Sequence, residues 1–190
     1  LEWHAQDCAR LARRMRRDQG DPQPQRAFRG AAAWPRAKQA LLRRILLWRE
    51  RSARSLDKPR SWLLDDPALL SLAQQPPASS NELFERTRGL RALRSAPRAE
   101  LFALLREPVT DAEIGETAPI PPAPFGEAKA AVTAMKLAAD AIALELDLPA
   151  GLLCPRRALE EYVVTRAWPD ALAGWRREVL EPTLAPKLPG

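Results

Sequence analysis

The sequence predicts an all-α protein that folds as two small helical bundles. Among its 190 residues are 34 Ala and 29 Leu, which favour helices, against only 15 β-branched residues, which favour strands. The 19 prolines indicate that these helices are short, because proline ends a helix. The length fits one large domain or two small ones, and we expect two because a proline-rich stretch divides the chain.

Composition excludes several classes of protein. No apolar run approaches the roughly 18 residues that a membrane-spanning helix needs, so we expect a soluble chain with no membrane partner. Cys8 and Cys154 lie far apart and His4 is the single histidine, which leaves neither a disulfide framework nor a Cys/His zinc site. We therefore expect a reducing compartment, the cytoplasm. Because Leu1 opens the chain without a signal series, we also expect a fragment of a longer protein.

The net charge of +6 is unevenly distributed along the chain. Residues 1–60 carry 16 basic and 6 acidic side chains, residues 61–110 carry 6 of each, and residues 111–190 carry 8 basic and 12 acidic ones. A basic region beside an acidic one is typical of proteins that bind polyanions such as nucleic acids. The alternative interpretation is that the arginines only keep exposed helices soluble.

The basic first third contains two predicted helices. The first covers residues 3–17, with Leu11 and Met15 on one face and four arginines around its end, which are Arg13, Arg14, Arg16 and Arg17. Residues 20–25 combine Gly and Pro and predict a connector. The second helix follows Pro35, where we expect a new domain to begin.

The helix after Pro35 is amphipathic when its residues are placed at about 100° intervals. Its basic face contains Arg43, Arg44, Arg51 and Arg54, and its apolar arc contains Leu41, Leu42, Ile45, Leu46, Trp48 and Ala53. Arg49 falls inside the apolar arc, where an unpaired charge would be costly. We therefore expect Arg49 to be structural and to pair with Asp65 or Asp66.

Short capped helices complete the first domain. Asp66 is a predicted N-cap, Ser79 and Glu82 have the spacing of a capping box, and Ser95 opens the last helix. Residues 108–125 contain five prolines and predict a semi-rigid linker. We expect a second domain with a helix over 127–146, a break at Pro149, and short helices near 156–166, 169–173 and 174–185.

Residues 41–107 resemble the HRDC domain, a helical module of RecQ-type helicases and of the ribonuclease D family. The resemblance rests on LLRRILLWRERSAR, on DKPRSWLLDDPALLSLAQQPP and on SSNELFER. The runs LLCPRRALEEYV and DALAGWRREVL resemble the second, more divergent HRDC domain of ribonuclease D. The resemblance implies that residues 1–34 are the tail of a nuclease domain plus a connector. It implies a first HRDC domain over 35–107, a linker over 108–125 and a second HRDC domain over 126–190.

The resemblance also implies a function. Ribonuclease D is a 3′-to-5′ exoribonuclease of tRNA 3′-end maturation, and this region would bind structured RNA such as tRNA precursors for the nuclease domain. We expect phosphate contacts from Arg43, Arg44, Arg51, Arg54, Lys58 and Arg60, joined by Arg13, Arg14, Arg16 and Arg17. Trp48, Trp62 and Trp175 could stack on bases, but we expect all three in the core, because aromatic residues of amphipathic helices usually pack there.

A nuclease centre is not expected in this chain. The centre of the family holds two divalent metal ions, such as Mg²⁺, with carboxylates in the patterns D-x-E, N-x-x-x-D and Y-x-x-x-D. Asp111 and Glu113 match the first pattern but lie in the predicted linker, while Asn81 and Tyr162 lack an aspartate at the fourth following position. We therefore expect no catalytic residue and no metal or other cofactor here.

Two other functions stay open at the level of sequence. The helical modules could have an architectural or protein-interaction role, which the neutral residues 61–110 and the acidic second domain fit. The chain could also be the HRDC module of a RecQ-type helicase that recognises branched or single-stranded DNA. Nothing in the sequence indicates an oligomeric state.

Overall fold

The computed structural model describes residues 2–16 and 20–189, and side chains of the first range up to residue 12. The regular structure of these residues is helical, as the composition predicts, and they contain no strand. None of the described helices is both long and apolar enough to cross a membrane. The chain forms two compact units: a first unit of residues 20–122, and a second unit of residues 2–16 with 123–189.

Both units consist of short helices around one or two longer ones. In chain order the α-helices are α1 (Glu2–Arg16), α2 (Arg36–Leu56), α3 (Arg60–Leu63), α4 (Asp66–Gln74), α5 (Ser80–Arg86), α6 (Ser95–Arg106), α7 (Asp111–Glu116), α8 (Gly126–Glu145), α9 (Ala150–Leu153), α10 (Arg156–Thr165) and α11 (Trp175–Leu184). Single 3-10 turns cover Pro24–Ala27, Arg29–Ala31, Asp170–Leu172 and Ala185–Lys187.

Helix α2 forms the centre of the first unit. It begins after Pro35, whose carbonyl accepts the first helical N–H groups. Leu42 and Ile45 of its apolar arc are fully buried among leucines of the neighbouring helices, which include Leu69, Leu72 and Leu101. The helical wheel therefore identifies the face of α2 that the core covers.

The caps of the short helices follow the sequence closely, with one shift. The N-cap of α4 is Asp65, whose side chain accepts the N–H of Ala68 at 2.8 Å, and Asp66 is the first helical residue. The expectation of Asp66 as N-cap was therefore wrong by one position. This shift leaves the Asp66 carboxylate available to another partner. Ser79 caps α5 as expected, by accepting the N–H of Glu82 at 3.1 Å.

The proline-rich stretch is not a free linker over its first part. Residues 111–116 form α7, and Thr110 and Glu113 make a complete capping box at its start. Ile120 is buried in the first core, and its N–H donates to Gln39 Oε1 at 2.9 Å. Residues 108–122 therefore complete the first unit, because their backbone and apolar groups find partners there.

The second unit is built on α8. Val132, Met135 and Ala143 on its inner face are buried with residues of α10 and α11 such as Leu159 and Leu180. Helices α10 and α11 and the 3-10 turn between them lie within one or two residues of the predicted short helices. The predicted break at Pro149 contains a single helical turn, α9.

Helix α1 belongs to the second unit. Asp7 pairs with buried Arg176 at 2.6 Å, and the Trp3 ring stacks on the Trp175 ring at a centroid distance of 4.4 Å. Gln6 Oε1 accepts the N–H of Trp175 at 3.1 Å. The expected division at residue 34 differs from this arrangement, because α1 packs with residues 123–189 while residues 20–34 pack with the first unit.

One turn occurs in both units, 90 positions apart in the sequence. Within two residues of their ends, the long helices α2 and α8 are followed by Asp57 and Asp147, which adopt left-handed φ values of 49° and 53°. The residue after each aspartate donates its N–H to the carbonyl five positions earlier, at 3.0 Å in the first unit and 2.9 Å in the second. Pro59 and Pro149 then start α3 and α9. The two turns therefore have the same backbone conformation.

Candidate functional site

Trp62 lies at the surface of the first unit, with 45% of its area exposed. It occupies α3, a single turn whose other apolar residue, Leu63, is fully buried together with the following Leu64. The carbonyl of Trp62 accepts the N–H of Ala92 at 3.0 Å, which joins α3 to the segment between α5 and α6. The expectation of a core position for Trp62 was wrong, because a four-residue helix buries only one side.

A cavity of about 320 Å³ opens beside Trp62. Its lining residues are Leu56, Lys58, Trp62, Arg91, Ala92 and Arg94. Among the described residues, the side chains of Lys58, Arg91 and Arg94 form no hydrogen bond or ion pair, and no carboxylate lines the cavity. An aromatic ring surrounded by three available cations can contact both the base and the phosphate of a nucleotide.

The basic face predicted for α2 reaches Arg54, four residues before Lys58 of the cavity lining. Arg54 and Arg60 share a single carboxylate, Glu50, at 2.8 and 2.5 Å. Arg51 is exposed and makes no ion pair within the described part of the chain. Arg51, Arg54 and Arg60, together with Glu50 and Asp57, give this part of the first unit a small excess of positive charge.

Arg43 and Arg44 were expected to bind phosphates, but both side chains have partners within the first unit. Arg44 is largely buried, pairs with Glu113 through two nitrogens, and donates to three backbone carbonyls between residues 104 and 108. Its guanidinium, followed by the Thr110 N–H, lowers the pKa of the Glu113 carboxyl to about 2. Arg43 donates to the Pro22 carbonyl at 2.8 Å. Both arginines hold the first unit together, so we exclude them from the candidate interface.

Arg49 is buried at 8% exposure, inside the apolar arc of α2. Its Nη1 lies 2.7 Å from Asp66 Oδ1, one of the two carboxylates that the sequence suggests, and 2.9 Å from the Leu64 carbonyl. Because Leu64 follows α3 directly, this arginine fixes the turn that presents Trp62.

The other two tryptophans have buried rings. Trp48 is 5% exposed in the first core, and its Nε1 lies 3.4 Å from Glu100 Oε2. Trp175 is 4% exposed and is enclosed by Trp3 and by Arg176, whose Cζ lies 4.4 Å from the ring centroid. Neither ring is available to a base.

Arg91 and Arg94 are the residues that sequence reasoning missed. They belong to the segment between α5 and α6, where no helical period indicates which side chains share a surface. The chain distance of about 30 residues from Trp62 hides their proximity, which depends on the hydrogen bond to Ala92. Arg13, Arg14 and Arg16 lie in α1 with side chains outside the described part, and Arg17 also lies outside it. Their role stays a prediction.

The described residues do not fit a two-metal nuclease centre. No group of three or more His, Cys, Asp or Glu side chains comes together among them. Glu113 of the D-x-E pattern is occupied by Arg44 and by the cap of α7, which is a structural role. Cys8 is exposed and Cys154 is buried, and both are free thiols. We therefore derive no catalytic step from this part of the chain.

Comparison with known families defines the class of the first unit. Residues 38–93 match the model of the HRDC domain, and this range includes α2 from residue 38 onward and α3 to α5, together with Lys58, Trp62 and Arg91. The first unit therefore contains an HRDC domain.

A longer match concerns the whole chain. It is 37% identical over 191 residues to ribonuclease D of Xanthomonas oryzae pv. oryzae (strain KACC10331 / KXO85), covering 99% of this chain and 51% of the relative. The chain thus spans about half the length of that relative. No solved structure matches it. The two matches support the C-terminal region of a ribonuclease D, as the resemblance predicts.

Proposed function

We propose that this chain is a nucleic-acid-binding region of a ribonuclease D and positions structured RNA, such as tRNA precursors, for a 3′-to-5′ exoribonuclease domain. The observation that carries the proposal is the cavity beside exposed Trp62, with three available cations and no carboxylate in its lining. The match to ribonuclease D favours RNA over the DNA substrates of a RecQ-type helicase. We place this activity in the cytoplasm, and any divalent metal ion in the nuclease domain.

Each part of the cavity has a separate task in this proposal. Lys58, Arg91 and Arg94 bind phosphates, which contributes affinity but little sequence information. Trp62 stacks on one unpaired base, and because every base has a π face, the contact accepts any sequence. Three more arginines extend the positive surface along the RNA backbone: Arg51 and Arg54 of α2, and Arg60 of α3. Such an interface suits a region that holds many RNAs while the nuclease removes nucleotides.

The test measures RNA binding by fluorescence anisotropy of the whole chain with a labelled 3′-tailed RNA at about 50 and about 200 mM salt. The decisive variant combines Lys58→Glu, Arg91→Glu and Arg94→Glu. Its matched control, Arg26→Glu, Arg106→Glu and Arg157→Glu, changes three exposed arginines that form no ion pair within the described residues and lie outside the cavity lining. Both variants change the net charge equally.

We expect the cavity variant to bind at least about tenfold more weakly and to lose roughly two units of the salt slope, since each contact to a single strand contributes ~0.7. The control variant should lose much less, because its charges act only at a distance. Equal losses of RNA affinity in the two variants would mean that the cavity residues act only through the overall charge of the chain. Failure of the unaltered chain to bind RNA at low salt would replace the proposal with an architectural role, and a preference for DNA would favour the helicase alternative.

A further inference from the structure

A second cavity, of about 420 Å³, lies between α5 and α6 of the first unit. Phe84 and Phe102 supply apolar surface, Asn81 and Ser95 supply neutral polar groups, and Arg98 supplies a positive charge. No carboxylate lines it, and the Phe84 side chain is exposed at 44%. This combination matches the parts of a nucleotide, because aromatic and apolar groups accept the base, amides and hydroxyls bind its edge, and a guanidinium binds phosphate.

The Arg98 side chain is held in place by contacts that do not include a carboxylate of the described residues. Its Nε donates to Thr87 Oγ1 at 3.4 Å, and its Cζ lies 4.9 Å from the centroid of the Phe84 ring. It makes no ion pair within the described part of the chain. Arg88 also lies over Phe84, at 5.9 Å, but it pairs with Glu85. Of the two, Arg98 is therefore the cation that a phosphate can still neutralise.

The linings of the two cavities meet at consecutive residues. Arg94 lines the cavity beside Trp62, and the next residue, Ser95, lines the cavity between α5 and α6. Consecutive Cα atoms are about 3.8 Å apart, so the backbone of the two linings is continuous at this point. Arg94 and Arg98 lie one helical turn apart at the start of α6, where the N–H of Arg98 donates to the Arg94 carbonyl at 3.0 Å.

We infer that the cavity between α5 and α6 binds a second, unpaired nucleotide of the same single strand that contacts Trp62. The inference rests on the proposed function and specifies its substrate: a flexible single-stranded segment whose neighbouring bases separate into two cavities. A continuous duplex supplies such bases less readily, because each one must first be unpaired and unstacked at a cost of a few kcal/mol. Adenine, guanine, cytosine and uracil fit equally in principle, since stacking is sequence-tolerant.

Filling the second cavity tests the inference without removing any native contact. Ala99 is an exposed residue of α6 that lines the cavity, and Ala99→Leu places a bulky helix-forming side chain there. The matched control is Ala130→Leu at an exposed position of α8. A second pair is Arg98→Gln with Arg106→Gln as its control on the same helix. Binding of a labelled oligouridine RNA is measured by anisotropy, with thermal unfolding to verify the fold.

We expect Ala99→Leu to weaken binding about tenfold, comparable to losing one stacked base. Arg98→Gln should weaken binding about threefold and lower the salt slope by ~0.7, as expected for one phosphate contact. Both controls should bind like the unaltered chain. If Ala99→Leu and Arg98→Gln also bind normally while Trp62→Ala binds weakly, the second cavity is not a nucleotide site but the proposed function stands. If the unaltered chain does not bind, both proposals fail.

Discussion

The turn after α2 and the turn after α8 have the same backbone conformation but expose side chains of different chemistry. The exposed side chains around the first turn include Arg54, Lys58 and Trp62. The positions 90 residues later hold Leu144, Leu148 and Leu152, of which the first is 83% and the last 55% exposed. The aspartate and the proline of each turn set its path, and the exposed side chains at these three positions set its chemistry. The backbone alone therefore does not make a nucleic-acid site, and we assign binding to the first turn.

Both turns are also anchored by a buried arginine, but from different helices. In the first unit Arg49 of α2 donates to the Leu64 carbonyl and pairs with Asp66. In the second unit Arg176 of α11 donates to the Leu152 carbonyl and pairs with Asp7. A carbonyl at the end of a single helical turn lacks an intrahelical partner, and a guanidinium can donate to it while it also pairs with a carboxylate. The two arginines therefore bind carbonyls at different positions of the two turns, since Leu152 corresponds to Trp62, whose carbonyl accepts the N–H of Ala92.

The largest effect is expected from removing these anchors. Arg49→Ala should lower the free energy of unfolding by about 3 kcal/mol, because it leaves the Leu64 carbonyl without its donor and empties part of the core. Arg176→Ala should have an effect of similar size in the second unit. Equilibrium urea unfolding followed by circular dichroism measures both.

Arg51→Ala is the control for Arg49→Ala, because Arg51 lies on the exposed side of the same helix and has no ion pair among the described residues. It should change the free energy of unfolding by less than about 0.5 kcal/mol. Equal stabilities of the Arg49→Ala and Arg51→Ala variants would show that the guanidinium of Arg49 does not hold the turn.

A smaller effect, on binding, separates the two turns directly. Trp62→Ala should weaken binding of a labelled oligouridine RNA about tenfold, since stacking on an aromatic side chain contributes ~1–3 kcal/mol per base. Leu152→Ala, the same truncation at the equivalent position, should leave binding unchanged. Anisotropy titrations at one salt concentration measure both variants. A comparable loss of RNA affinity in Leu152→Ala would mean that the second turn also contacts RNA despite its apolar surface.

Much of this fold is predictable from local sequence, and much of the site is not. The helical wheel of α2 identifies its buried face and the unusual position of Arg49, because a helix of 21 residues repeats its pattern several times. The same wheel places Arg44 on the exposed side, since it cannot anticipate that residues 108–116 return to cover that side. Nonlocal contacts of this kind have no signal in a periodic pattern.

The predictions for Trp62 and for residues 108–122 were wrong for related reasons. A single-turn helix is too short for periodicity to assign a face, so Trp62 looks like the neighbouring core leucines. Proline content predicts a linker for residues 108–122, yet the backbone there forms a capped helix and hydrogen bonds to Gln39 and Gln25. The capping pair Thr110 and Glu113 is a local signal that was available and that the proline content obscured.

The smallest effect concerns the shared backbone itself. Asp57 and Asp147 adopt left-handed φ values, which cost a non-glycine residue energy because its Cβ approaches the following carbonyl. Asp57→Gly and Asp147→Gly should therefore each leave the stability unchanged or raise it by up to about 0.5 kcal/mol, and the corresponding valine variants should lower it by about 1–2 kcal/mol. Urea unfolding measures all four variants, and RNA binding by the two glycine variants should equal that of the unaltered chain. If Asp57→Gly lowered stability or binding while Asp147→Gly did not, the Asp57 carboxylate would have a role of its own. The two aspartates would then differ in function although their backbone conformation is the same.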